Sequence, residues 1–173
     1  IFDKYEKKFS NKVLVILSGI KDLDKKVLEW TFHFLDENED QRIMIKDHPI
    51  LPFESLIQNK NNKYINRITI YRGKLNSILK KTYSVICSGP TSATMESLAF
   101  NCYLIIPVLE PCDEENIKNL KIKKNLYRFV YNKYDFNMEI QKILKKKNKI
   151  INNSKIKNFL FKKIDKNNVS VFF

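Results

Sequence analysis

The 173-residue sequence predicts an α/β domain in which a parallel sheet carries helices on both faces. Three observations predict it. Short continuous apolar runs, of which Lys12-Val13-Leu14-Val15-Ile16-Leu17 is the first, have the composition of strands buried on both sides. Between the runs, apolar residues recur at helical spacing. The chain has three glycines, Gly19, Gly73 and Gly89, and each falls just after a run, where backbone must turn tightly or a ligand must approach closely. The length fits one domain with a real core, and 43% hydrophobic residues with twelve Phe and eight Tyr argue against disorder.

Each element follows from its local pattern. The first strand closes on Ser18-Gly19, and Asp22 is a candidate N-cap for a helix with Leu23, Val27, Trp30 and Phe34 on one stripe, Thr31 and Leu35 alongside, running to the acidic stretch 36–40. His33 falls off that stripe and is expected at the surface. Arg42 to Lys46 reads as a second strand ending in Asp47-His48-Pro49, and Pro52 to Gln58 as a short helix. Ile68 to Tyr71 is a third strand, Leu75, Ile78 and Leu79 mark a short helix, and Tyr83 to Cys87 is a fourth strand. Ala93 to Phe100 reads as helix, and Tyr103 to Ile106 as a fifth strand stopped by Pro107. Beyond Pro111 the alternation weakens: Leu126 to Tyr131 suggests one more strand, then two amphipathic basic helices follow, carried by Phe136, Ile140, Ile143 and Leu144 and by Ile156, Phe159, Leu160 and Ile164. The implied division is a ligand-binding core over 1–112 and a basic C-terminal extension over 113–173 that packs on it.

In a parallel α/β sheet the strand-to-helix loops emerge on one edge, and ligands bind where strand order reverses. Three unusual loops then share an edge: Ser18-Gly19, Asp47-His48-Pro49, and Ser88 to Ser92. A helix starting near Thr91 presents unpaired N–H groups and partial positive charge, Thr91 and Ser92 add hydroxyls, Gly89 permits close approach, and Pro90 stiffens the turn. This combination predicts a phosphate cradle, against the simpler reading that Ser88, Thr91 and Ser92 only cap the helix. Glu96, five residues after Thr91, is placed to accept from ribose hydroxyls, against the reading of a solvated glutamate. His48, held extended by Pro49, is placed to donate to a phosphate or carboxylate.

Charge and cysteine content bound the partners. Residues 1–113 hold 16 basic and 14 acidic residues, whereas 114–173 hold 16 and 5, so the net charge of +13 belongs to the C-terminal third. That asymmetry suggests contact with an anionic surface, against the alternative of a general Lys and Asn bias. Cys87, Cys102 and Cys112 have no paired spacing and read as free thiols in a reducing compartment, with little support for a metal shared with His48. Asp113-Glu114-Glu115 could hold a divalent ion, but such an acidic run on a loop is usually only solvated. No apolar stretch approaches membrane-spanning length and no signal peptide opens the chain, so it reads as soluble; its start at Ile1 suggests a piece of a longer protein. P-loop, dinucleotide and α/β-hydrolase signatures are absent.

With Lys46-Asp47-His48-Pro49, the stretch from Ser88 to Phe100, and the following Cys102 to Pro107, the chain resembles the C-terminal, nucleotide-sugar-binding half of bacterial GT-B glycosyltransferases, over about residues 12 to 110. It looks most like the surface-polysaccharide, sialyltransferase and Kdo-transferase groups. The resemblance implies a Rossmann-like domain of a transferase that takes a CMP- or UDP-linked sugar to a surface-glycan or lipid-linked acceptor in polysaccharide biosynthesis. It implies that His48 contacts the donor phosphate or nucleotide and is the candidate catalytic residue. Ser88, Gly89, Thr91 and Ser92 would bind phosphate, Glu96 would hold ribose, and Gly19 would let the donor pack closely. No cofactor beyond the donor and no nucleic acid are expected; the expected location is cytoplasmic, with peripheral contact at the inner face of an anionic membrane. The chain departs from the family in having one half where the family has two, and no carboxylate in it stands out as a catalytic base. UDP-sugar 2-epimerases share the architecture, and a nucleic-acid-binding module using the basic third is a second alternative.

Overall fold

The computed structural model describes residues 11–57, 59–89 and 91–145. Strands and helices alternate: β1 (Asn11–Ile16), α1 (Lys21–Glu37), β2 (Ile43–Lys46), β3 (Ile68–Tyr71), α2 (Leu75–Leu79), β4 (Thr82–Ile86), α3 (Ser92–Ala99), β5 (Tyr103–Pro107), α4 (Asp113–Asn119), β6 (Tyr127–Val130) and α5 (Lys133–Lys145). All six strands run parallel in the order β3-β2-β1-β4-β5-β6. The chain builds outward from β1 in one direction, then returns to lay β4 on its other side, with Leu14 paired to Met44 and to Val85. Strand order therefore reverses between β1 and β4, which makes the end of that pair the ligand crevice of such a sheet.

Successive residues of a strand point to opposite faces, and both faces are covered. Val13, Val15, Ile43, Ile45 and Ile105 pack against α1 and α5, whereas Leu14, Ile16, Val85, Leu104 and Ile106 pack against α2, α3 and α4. Phe34 and Leu35 of α1 and Phe136 and Ile140 of α5 are fully buried on the first face, each side chain contributing about 1.5–3 kcal/mol. Trp30 meets Phe136 edge-on, with ring centroids 5.9 Å apart.

Several local expectations change. Asp22 is not the N-cap of α1: the helix starts at Lys21 after Ile20, which supplies no side-chain cap, and Asp22 lies exposed in the first turn. Helix from Pro52 to Gln58 shrinks to a 3-10 turn at Phe53–Ser55, and a second 3-10 segment, Asn59–Arg67, leads into β3. Helix α4 was not anticipated. His33 is half-buried instead of exposed, with its Nε2 closed off from solvent and its ring edge-on to Tyr134 at 5.4 Å. Beyond residue 112, β6 pairs with β5 and α5 packs on α1. The basic helix expected around Ile156 to Ile164 lies outside the described residues. No helix among the described residues is long and apolar enough to cross a membrane.

Candidate functional site

The loops after β1, β2 and β4 emerge at the carboxyl ends of adjacent strands, and the first two are in contact. Gly19 has φ +85, and a Cβ placed on it would lie 2.6 Å from Nδ1 of His48 and 2.7 Å from Cγ. The His48 ring thus rests directly on the Gly19 backbone, so the close approach that Gly19 permits is that of His48. The Ile50 N–H donates to Nδ1 of His48 at 3.3 Å and the Leu51 N–H to its carbonyl at 3.1 Å, a tight turn across Pro49. With Nδ1 accepting, the neutral ring carries its proton on Nε2, which leaves an N–H donor for a ligand. Asp47 is buried beside it, and Arg72, at the end of β3, reaches Asp47 at 3.5 Å and pairs with Glu54. The carboxyl of Glu54 is held below its usual range by its own backbone amide and then by Arg72.

Across the β1–β4 junction, the turn before α3 is shaped from inside. Gly89 takes φ +65, a backbone conformation that disfavours a side chain although space exists, the nearest atom to a Cβ being an Asp113 carboxylate oxygen at 3.7 Å. Thr91 is the N-cap of α3: its hydroxyl accepts from the Thr94 N–H at 3.4 Å, and Thr94 Oγ1 in return takes the Thr91 N–H at 3.3 Å. Thr94 Oγ1 also donates to the Gly89 carbonyl at 2.8 Å. Thr91 therefore serves as a cap, and the remaining hydroxyls are those of Ser88 and Ser92. Ser92 is exposed at the first position of α3, with its amide and that of Ala93 ahead of the first intrahelical bond. Ser88 is 3% exposed, and its Oγ has no partner among the described residues. A buried hydroxyl in that state costs about 1–3 kcal/mol, which a ligand oxygen would recover. Glu96 stands half-buried on α3, two residues beyond Thr94. Pro90 lies outside the described residues.

Two buried residues at this edge had no role assigned from the sequence, Asp24 and Thr94, the latter noticed only as one of the clustered hydroxyl residues. Asp24 is 0% exposed and accepts from the Ser18 N–H at 2.7 Å, the Ser18 hydroxyl at 2.8 Å and the Gly19 N–H at 2.8 Å. The Ser18 and Gly19 amides of the β1 loop are thereby consumed by a carboxylate, so among the described residues the backbone amides left for an anion at the crevice are those that open α3, and they act beside the Nε2 donor of His48. The signal lay in the spacing: an acidic residue five positions after a Ser-Gly turn, early in a helix, can reach back to it.

Cys102 is buried in the core, its thiol facing the Leu79 and Thr82 carbonyls, far in burial and partners from any role with His48. Glu110, Cys112 and Asp113 hold ligand atoms within 4.8 Å of one another, but Asp113 already caps the Leu109 and Glu110 amides at 2.8 and 2.9 Å. Glu114 is committed to Lys118 and Tyr131. A cavity of about 580 Å³ opens away from the crevice, between α1, the 59–67 segment and the start of α5.

The chain matches no family model, and no curated protein matches it in sequence. Among solved structures it is similar to the C-terminal domain of a group 1 family glycosyl transferase, LpcC, from Francisella tularensis, with TM-score 0.53 and 11% identity over 87% of this chain and 80% of that one. It is also similar to AviGT4, a glycosyltransferase involved in avilamycin A biosynthesis, with TM-score 0.50 and 12% identity over 80% of this chain and 43% of that one, so the chain spans less than half of AviGT4. At such identities the likeness is one of fold: the chain has the Rossmann-like fold of a GT-B glycosyltransferase C-terminal domain.

Proposed function

We propose that this chain is the donor-binding half of a glycosyltransferase that takes a nucleotide sugar, CMP- or UDP-linked, and delivers the sugar to a surface-glycan or lipid-linked acceptor. The observation that carries the reading is the crevice itself: the unpartnered buried hydroxyl of Ser88 and the free first amides of α3 on one side of the strand-order reversal, and the Nε2 donor of His48 on the other. Such donors suit a diphosphate or a phosphodiester. They are strongest toward the oxygens that gain charge as the sugar departs, and they are fixed before the reaction begins, which is how a transferase of this kind lowers its barrier. Gly89 brings the backbone close to the phosphate, Ser92 adds a hydroxyl at the mouth, Thr91 holds the amides in register, and Glu96 takes the ribose. Gly19 serves by seating His48. The fold likeness to two glycosyltransferases supports the class, and the acceptor and any catalytic base belong to a second half, which the partial cover of AviGT4 leaves room for.

The test is calorimetry of the chain with CMP, UDP and GDP, on the wild type and on His48→Ala and Ser88→Ala. Selective binding of one nucleotide, weakened at least about tenfold in each variant, is expected. Absence of binding to all three, or binding that neither substitution weakens, overturns the reading.

A further inference from the structure

We infer that Asp24, which itself offers nothing to a donor, is the positioning residue that sets the His48 imidazole; the inference rests on the donor-site reading above. A carboxylate early in a helix ordinarily caps that helix, bonding amides of its own first turn. Asp24 does otherwise. Its two oxygens take the N–H groups of Ser18 and Gly19, outside α1, together with the Ser18 hydroxyl. The Ser18 hydroxyl in turn accepts from the Ile20 N–H at 3.2 Å, so residues 18 to 20 are tied to one buried carboxylate. That carboxylate is 0% exposed, and water cannot replace it.

The turn held in this way is the surface on which the His48 ring lies. At φ +85, Gly19 presents its bare Cα to the ring, close enough that a Cβ would come within 2.9 Å of three ring atoms. A second contact, the Ile50 N–H on Nδ1, comes from the ring's own loop and moves with it. Gly19 thus seats the His48 ring on the β1 loop, and Asp24 bonds the Gly19 amide that forms this seat. The seating of the His48 ring, and with it the placing of its Nε2 donor, follows from a chain of two contacts that begins at Asp24.

Two measurements on the full chain test this. In Asp24→Asn, which keeps the shape but loses an acceptor, the nuclear Overhauser effects between the Gly19 Hα and the His48 ring protons should be lost or redistributed. Nucleotide affinity should fall roughly tenfold, and Asp24→Asn should add no further loss in a His48→Ala background. Retained Gly19–His48 contacts, or an equal loss of affinity with and without His48, overturn the inference. If the wild type binds none of the nucleotides, the donor reading fails, while the Overhauser measurement still decides for or against Asp24. Should Asp24→Asn fail to fold, Gly19→Ala displaces the ring directly with Asp24 intact; it is expected to reproduce the loss of affinity, and an unchanged affinity overturns the inference.

Discussion

The hydroxyl that organises the turn before α3 belongs to Thr94, and its neighbours Thr91 and Gly89 depend on it. Its Oγ1 donates to the Gly89 carbonyl at 2.8 Å, receives the Thr91 N–H at 3.3 Å, and lies 3.3 Å from the thiol of Cys87. Thr94→Val is nearly isosteric but leaves the Gly89 carbonyl and Thr91 amide without that partner. The expected destabilisation is about 1–3 kcal/mol, a fall in melting temperature of several degrees. A thermal melt unchanged from wild type would show the turn to be held by something else. Thr94 stands out in the sequence only as one of a cluster of hydroxyl residues, and its role was hard to read because a threonine inside a helix is ordinarily unremarkable. The reciprocal cap it forms with Thr91 usually shows itself through a Glu or Gln at that spacing. The cysteines allow a second check at this scale. Burial pushes the Cys87 thiol up to about 11, Cys102 is buried, and Cys112 is exposed. At pH 8 a maleimide should label one thiol per folded chain and three after denaturation; rapid labelling of a second thiol in the folded protein contradicts this packing.

Among the elements, the 59–67 segment shows how a stretch of weak pattern becomes fixed. Its lysines and asparagines carry no apolar period, and the sequence accordingly left it without a helix. Order comes from its end. Arg67 donates through Nη1 to the carbonyls of Leu35, Asn38 and Glu39 at 2.8, 3.2 and 2.9 Å, at the negative C-terminal end of α1. Tyr64 stacks flat on Phe32 at 4.7 Å and bonds Asp36. Arg67→Ala should therefore cost about 1–2 kcal/mol and loosen the end of α1, read as faster amide exchange at residues 36–39, whereas Arg67→Lys, a single point charge, recovers part of it. Exchange confined to the 59–67 segment would refute the link to α1. Helix α4 was missed for a related reason. Its one apolar residue, Ile117, is buried in the core, so no stripe exists to be read; the surviving signal was the acid-rich first turn Asp113, Glu114 and Glu115, which favours a helix N-terminus. The strands and α1, by contrast, carry enough consecutive core residues that their existence and order along the chain were plain. Their pairing order was not, because nothing local says whether β4 lies beside β3 or beside β1.

At the scale of the molecule, that pairing order is what separates the two features the sequence displays most openly, the edge loops and the basic tail. The crevice forms at the carboxyl ends of β1 and β4, while residues 114–173, with 16 basic and 5 acidic residues, come after β5 in the chain and include β6, the edge strand on the far side of β5. Charge and site are therefore carried by different parts of the chain. If the basic third serves to hold the domain at an anionic membrane, lipid and nucleotide should bind without competing. Each Lys near such a surface contributes about 1 kcal/mol, so several acting together suffice for peripheral binding, and the effect falls off within a Debye length of about 8 Å at physiological salt. In a sedimentation assay the chain should pellet with phosphatidylserine-containing vesicles at physiological salt and be released as salt rises. Neutral vesicles should leave it in the supernatant. Saturating nucleotide should change the pelleted fraction little, and His48→Ala should pellet like the wild type. A chain that stays in the supernatant at physiological salt ends the membrane assignment. Release by nucleotide at constant ionic strength would instead mean that the lipid phosphates had been occupying the crevice, with the C-terminal charge having no part in holding the domain there.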